Sequence, residues 1–179
     1  MKLKTGMRGH NNGLCDLISS LPSGIVMAEV GCYAGESTLL FMKSGKINVL
    51  YAIDPWGDTW EGDVPAEKID QYKFCYDNMR WAEQSFDFRT KGYDVIKCRG
   101  TLVKFMEKLP ELDFIYIDGD HRYKYVKNDI ELSKTIVKKG GIIAGHDYNQ
   151  IELDVIKAVD EIFGKPDKIF KDTSWLKYV

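Results

Sequence analysis

The sequence predicts an α/β fold: a seven-stranded, mostly parallel sheet with helices on both faces and a C-terminal antiparallel hairpin. Three observations lead to it. Strand-like and helix-like segments alternate through most of the 179 residues. The strand-like segments are near-continuous apolar runs, as expected where both faces of a parallel sheet are covered. The last two are short and separated by a tight turn, which suits a hairpin. With 44% hydrophobic residues a chain of this length can bury one core, so a single domain over 1–179 is expected.

The elements follow in order. In "NNGLCDLISSLP", Leu14, Leu17, Ile18 and Leu21 fall at helical spacing, Asn11 or Asn12 can cap, and Pro22 ends the helix. "GIVMAEVG" (24–31) is an apolar run between glycines and reads as a buried strand. "GESTLLFMKSG" (35–45) is a helix stopped by Gly45, and "NVLYAIDP" (48–55) a second strand. "YDVIKCRG" (93–100) is a third strand, followed by a short helix over 101–109 with Leu102, Phe105 and Leu109 on one face. "LDFIYIDGD" (112–120) is a fourth strand. A helix over 122–141 places Tyr123, Val126, Ile130 and Val137 inward and stops at glycines. "GIIAGHDY" (141–148) is a fifth strand. The helix 152–164 carries Ile156, Val159 and Phe163 on one side, and "KIFKD" and "WLKYV" close the hairpin around Asp172–Ser174. Helical crossovers put every loop after a parallel strand at one sheet edge, where ligands of such sheets bind.

Residues 55–93 interrupt the alternation. They hold nine of the 22 aromatic residues: Trp56, Trp60, Tyr72, Phe74, Tyr76, Trp81, Phe86, Phe88 and Tyr93. Residues 71–84 read as a helix and 57–70 as an acidic loop. So many aromatics argue against disorder. The insertion is expected to cover a substrate; the plainer reading is a packing extension or a contact between two copies in a homodimer.

Charge and cysteine usage exclude several classes. A net charge of −2, with no run of five basic residues, gives no general pull toward nucleic acid. Cys15, Cys32, Cys75 and Cys98 form no C-x-x-C pair, which argues against a thiolate zinc site or a disulfide framework. "MKLKTGMRGH" lacks the apolar core of a secretory signal, and no apolar stretch approaches the roughly 18 residues of a membrane span, so a cytoplasmic location is expected.

The most informative stretch is "AEVGCYAGESTLL" (28–40). Glycines between a strand and a helix make room for a ligand. Against a dinucleotide stand Tyr33, where that fingerprint needs its middle glycine, and Glu36 in place of the last. A carboxylate at Glu29 favours a cation instead, and Asp54 at the end of the second strand can accept from both hydroxyls of a ribose. S-adenosylmethionine has an amino-acid end, a positive centre and a ribose.

The E-x-G-x-x-x-G of residues 29–35 with Asp54 resembles the first two motifs of class I S-adenosylmethionine-dependent methyltransferases. "FIYIDGDHRYKYVKNDI" (114–130) and "GGIIAGHDY" (140–148) resemble the small-metabolite O-methyltransferase subgroup that includes relatives of macrocin O-methyltransferase. Together these motifs span roughly 25–150. The resemblance implies a Rossmann-like fold, S-adenosylmethionine as cofactor and a set of binding residues. Gly31, Cys32, Tyr33 and Gly35 would shape the loop under the methionine part, with Glu29 facing it and Ser37 bonding the carboxylate end. Asp54 would bind the ribose, Pro55 and Trp56 would lie beside the adenosine, and Gly100 and Thr101 would flank the adenine. Asp118 would lie near the transferring methyl. Thr101 stands where serine is expected, and a hydroxyl survives.

Methyl transfer needs an in-line nucleophile, and a hydroxyl acceptor must lose its proton to a base or to a metal. "DGDH" supplies Asp118, Asp120 and His121, and "GHDYN" supplies His146, Asp147, Tyr148 and Asn149. His121 or His146 is the candidate base, with Asp120 beside them; each histidine also has a plainer reading, His121 as a helix-start or cofactor contact and His146 as a hydrogen-bonded support. Asp118 and Asp147 resemble the two metal-binding aspartates of the catechol O-methyltransferase arrangement, where hard oxygen ligands select Mg²⁺ or another divalent cation such as Ca²⁺. That family follows its second aspartate with asparagine, whereas here Tyr148 intervenes before Asn149. Asp129 reads as a solvated or capping residue, and the lysines at 124–127 and 134–139 as solvated helix faces.

The expected activity is therefore methyl transfer to a small-molecule acceptor, at oxygen. Two rivals stand beside it: a nucleotide-dependent oxidoreductase on a similar fold, and a module that binds S-adenosylmethionine without catalysis. A nucleic-acid methyltransferase is disfavoured by the missing N-P-P-Y-type motif.

Overall fold

The structure is a computed structural model that describes residues 12–57 and 77–179. The N-terminal segment with Asn11, most of the acidic loop (58–70), residues 71–76 of the expected helix, and Cys75 lie outside the described residues.

The described chain forms α1 (Asn12–Ser20), β1 (Ile25–Val30), α2 (Glu36–Lys43), β2 (Ile47–Asp54), α3 (Met79–Thr90), β3 (Val95–Arg99), α4 (Leu102–Phe105), β4 (Leu112–Ile117), α5 (Tyr123–Ile136), β5 (Val137–Gly145), α6 (Leu153–Phe163), β6 (Lys168–Ile169) and β7 (Trp175–Tyr178). The sheet has seven strands in the order β3-β2-β1-β4-β5-β7-β6. β1 to β5 run parallel, and β7 pairs antiparallel with β5 and β6. This is the Rossmann-like arrangement expected from the alternating pattern. Strand order reverses between β1 and β4, so a crevice opens at their carboxyl ends.

Side chains alternate across the strands and sort the core into two layers. Met27, Phe114, Tyr116 and Ile142 face α1 and α2 with Leu17, Ile18, Leu40 and Phe41. Ala28, Ile115, Ile117 and Ile143 face α5 and α6 with Val126, Ile130, Val155 and Val159. The helical spacing of Leu14, Leu17, Ile18 and Leu21 is thus the buried stripe of α1 and its exit. No described helix is long and apolar enough to cross a membrane.

Three boundaries differ from expectation. The helix expected to reach 141 ends at Ile136, where Val137 turns extended and pairs with Leu112 before a bulge restores register at Ile142–Phe114. Val137 is buried either way, so its apolar character suits a helix end and a strand start equally. The helix expected to stop at 84 continues to Thr90, because Ala82 and Phe86 on its inner face reach the core. The helix expected over 101–109 keeps regular geometry only over Leu102–Phe105 and then becomes turns.

Phe41 sets the α2-to-sheet distance. It is fully buried, edge-on to Tyr116 at 5.3 Å and tilted to Phe114 at 5.8 Å. Phe41→Ala is expected to lower unfolding free energy by about 3–5 kcal/mol, read from urea unfolding at constant slope.

Candidate active site

The site begins where β1 stops. Gly31 has φ 87°, and a Cβ there would lie 2.1 Å from the Asp118 carbonyl oxygen. That atom is backbone and does not yield, so only glycine fits. The Gly31 N–H donates to the Ile53 carbonyl at 2.9 Å and the Asp118 N–H to the Val30 carbonyl at 2.8 Å. The ends of β2, β1 and β4 are therefore stitched side by side. Gly35, with φ 78°, closes the loop at the start of α2 against Phe86.

Asp54, at the end of β2, ties two loops together. One carboxylate oxygen accepts the Tyr33 N–H at 2.8 Å and the other accepts the Trp56 N–H at 2.8 Å. Tyr33 and Trp56 both hold positive φ, and the Trp56 indole N–H donates to the Tyr33 carbonyl at 2.8 Å. Burial raises the Asp54 pKa, and the backbone amides only partly oppose it. A carboxylate has about four lone-pair positions, so accepting positions remain toward the adjoining cavity.

That cavity has a volume of about 830 Å³. It runs from Gly31, Tyr33, Asp54 and Pro55, past Gly100 and Thr101, to Asp118, Asp120 and His121. A smaller hollow of about 260 Å³ lies under the loop, lined by Cys32, Glu36, Ser37 and Trp81. The two meet at Gly31, Tyr33 and Asp118, which line both. Most residues singled out in the sequence therefore converge on one double hollow.

Two do not line it. Trp56 is 2% exposed; its ring packs on Phe86 at 4.7 Å, with Lys97 4.9 Å from the ring centroid. Glu29 is fully buried beneath the loop, where Oε2 accepts the Thr38 hydroxyl at 2.5 Å and Oε1 has no hydrogen-bond partner among the described residues. Burial pushes its pKa up to about 7, against the pull of the Ser37 and Thr38 hydroxyls. The sequence pattern gives both residues a place in the loop but not the depth at which they sit.

Past β4 and β5 lies a cluster of acids and imidazoles. His121 Nε2 is 3.5 Å from Asp118 Oδ1, and its Nδ1 is 3.4 Å from Asp147 Oδ2. His146 Nδ1 is 3.3 Å from Asp147 Oδ1 and 3.8 Å from Asp118 Oδ1. Burial works against charging these rings, but the carboxylates outweigh it: the His121 pKa rises and that of His146 reaches about 9. Ligand atoms of Asp118, His121 and Asp147 all lie within 4.8 Å of one another, close enough to converge on one cation. Asp147 holds φ 59°, and the Asn149 amide donates to its Oδ1 at 3.2 Å. Asp120 is engaged elsewhere, accepting from Arg122 Nε at 2.9 and 3.0 Å to its two oxygens.

Several cavity residues escaped the sequence reading, Asp129 among them. Asp129 was expected in solvent or at a cap, yet it lines the cavity from two turns inside α5. The signal was its spacing of seven from Arg122 and four from Tyr125, which puts all three on one helix face.

Comparison with known proteins adds the following. The family model described as "Methyltransferase domain" matches residues 28–148, from β1 through the residues after β5. An uncharacterized protein, R132, of Acanthamoeba polyphaga mimivirus is 28% identical over 141 residues, 77% of this chain. The chain spans 59% of that relative's length. Among solved structures, the apo TDP-rhamnose 3'-O-methyltransferase of calicheamicin biosynthesis aligns with TM-score 0.58 and 17% identity over 92% of this chain and 75% of its own. The N-methyltransferase NodS of Bradyrhizobium japonicum aligns with TM-score 0.57 and 16% identity over 93% and 90%. Precorrin 8w decarboxylase of Methanobacterium thermoautotrophicum aligns with TM-score 0.58 and 15% identity over 93% and 83%. At these identities the likeness is one of fold.

The burial of Glu29 yields a pH prediction. Its folded pKa of about 7 exceeds the ordinary 4.5, so the folded state binds the proton more tightly than the unfolded chain. Stability contributed by the proton is complete below about pH 4.5 and is lost as pH rises through about 7. Glu29→Gln removes this loss, and its advantage over wild type should grow by roughly 3 kcal/mol between pH 4 and pH 8. Urea unfolding across that range measures it; parallel stability curves would contradict the assignment.

Proposed function

The chain belongs to the methyltransferase domain family, and from that premise we propose that it transfers the methyl group of S-adenosylmethionine to a hydroxyl oxygen of a small-molecule acceptor. The observation that carries this reading is the double hollow at the β1–β4 crevice, joined at Gly31, Tyr33 and Asp118. The small hollow suits the amino-acid end, with Ser37 and the loop backbone around it. The large cavity suits the nucleoside, with Asp54 accepting from the ribose hydroxyls and Pro55, Gly100 and Thr101 around the base. The methyl group then emerges near Asp118, beside the acid–imidazole cluster.

Transfer is a displacement at the methyl carbon: the acceptor oxygen forms the new bond as the carbon–sulfur bond breaks, leaving a neutral thioether. The chain's part is to hold the two reactants in line and to take up the hydroxyl proton. Asp118, His121 and Asp147 form a donor set that fits a divalent cation. The carboxylates suit Mg²⁺ or Mn²⁺, and the imidazole favours a transition ion. Such a cation, when bound, lowers the pKa of a coordinated hydroxyl. Burial opposes charge on the His146 ring, but the same carboxylates beside it raise its pKa to about 9; a cation on them would lower that pKa and leave a neutral imidazole to receive the proton. Asp120, paired with Arg122, sets the start of α5 rather than touching the acceptor.

An oxidoreductase reading fares worse, because Tyr33 lines both hollows where a pyrophosphate would need bare backbone.

Calorimetry decides between these. S-adenosylhomocysteine should bind wild type with micromolar Kd, and Asp54→Ala should weaken it by tenfold or more, the order expected for losing hydrogen bonds to a carboxylate. Thermal melting of the variant reads the loosened Tyr33 and Trp56 loops separately. Binding of NAD⁺ in place of S-adenosylhomocysteine would overturn the proposal. Mn²⁺ titrated calorimetrically should bind wild type, and Asp147→Ala should lose that binding while keeping its affinity for S-adenosylhomocysteine.

A further inference from the structure

Asp129 is a cavity carboxylate that neither the loop construction nor the acid–imidazole cluster uses. It stands seven residues beyond Arg122, on the α5 face that also carries Arg122 and Tyr125 into the cavity. That places it about 10 Å along the helix from the sheet edge. Thr101, Leu102 and Val103 at the start of α4 line the same cavity. The α4–α5 side of the cavity therefore combines these three and Lys104 from α4 with Lys124, Tyr125, Asn128 and the Asp129 carboxylate from α5.

The Asp129 carboxylate has no hydrogen-bond partner among the described residues, although cations line the same cavity. Arg122 is paired with Asp120, the Lys104 ammonium donates to the Arg99 carbonyl at 3.2 Å, and Lys124 lies over the Tyr125 ring at 4.6 Å. Burial pushes the Asp129 pKa up to about 7, and the charge of Asp120 adds to the rise. A half-shielded acceptor without a donor is costly, and a ligand that supplies an N–H group relieves the cost.

The connectivity of the cofactor says which donor arrives there. With the sulfonium near Gly31 and Asp118 and the ribose at Asp54, as proposed above, the base would lie toward Gly100, Thr101 and the α4–α5 side of the same cavity. Adenine presents an exocyclic amine, a donor at its rim. We propose that Asp129 is the residue that recognises the adenine of the cofactor, accepting a hydrogen bond from the exocyclic amine. This rests on the S-adenosylmethionine reading above and extends it to the residue that selects the base.

The test compares S-adenosylhomocysteine with its purine-riboside analogue, in which hydrogen replaces the exocyclic amine, by calorimetry on wild type, Asp129→Ala and Asp129→Asn. Wild type should prefer the amine-bearing ligand by about tenfold or more, because the analogue leaves the carboxylate unpaired. Asp129→Ala should bind the two within about threefold of each other, since no acceptor is left to discriminate. Asp129→Asn keeps an amide oxygen of the same shape and should retain part of the preference. It also decides the matter if the alanine variant does not fold. Equal binding of both ligands by wild type, or an undiminished preference in both variants, overturns the role of Asp129 and leaves the cofactor assignment standing. Failure of wild type to bind either ligand overturns the cofactor assignment itself.

Discussion

Everything at this site hangs on the contact between Gly31 and the Asp118 carbonyl, where a Cβ would sit 2.1 Å from the oxygen. It joins the carboxyl ends of β1 and β4 at the point where strand order reverses. Because the two backbones touch, the loop after β1 must turn away with positive φ, and it does so again at Tyr33 and Gly35. The hollow under the loop and the cavity beside it both arise from that turn. Asp54 then holds the shape from the β2 side by engaging Tyr33 and Trp56 through one carboxylate.

Charge is distributed along the sheet edge with a consistent logic. Asp54, Asp118 and Asp147 stand at or just past the carboxyl ends of β2, β4 and β5, and each meets positive partial or full charge. For Asp54 the partners are backbone amides; for Asp118 and Asp147 they are the two imidazoles. Glu29 lies one layer deeper, where burial raises its pKa more than the Ser37 and Thr38 hydroxyls and the Cys32 thiol pull it down. The result is a ladder of carboxylates that can receive a ribose at one end and a cation or a proton donor at the other.

Much of this was legible in the chain. Apolar runs located β1, β2, β4 and β5, since strands covered on both faces leave little polar pattern to mistake; β3, at the sheet edge, is mostly exposed. The E-x-G-x-x-x-G spacing and the D-G-D-H and G-H-D-Y stretches located residues that the fold brings to one crevice. Depth was not legible. Trp56 and Glu29 sit within a ligand-like motif yet point beneath it: Trp56 turns inward with its positive φ, and strand alternation puts Glu29 with Met27 on the face toward α2. Val137 was misplaced because one apolar residue satisfies both a helix end and a strand start. Asp129 was hidden by a lysine-rich, outwardly polar helix on which only the seven-residue spacing marks the cavity face.

The most direct measurement is a crystal structure of the chain with S-adenosylhomocysteine. The account predicts the homocysteine tail in the hollow beside Cys32 and Ser37, the sulfur next to Gly31 and Asp118, and the ribose hydroxyls on Asp54. A cofactor bound elsewhere on the molecule, or one whose ribose leaves Asp54 engaged only with Tyr33 and Trp56, would contradict it.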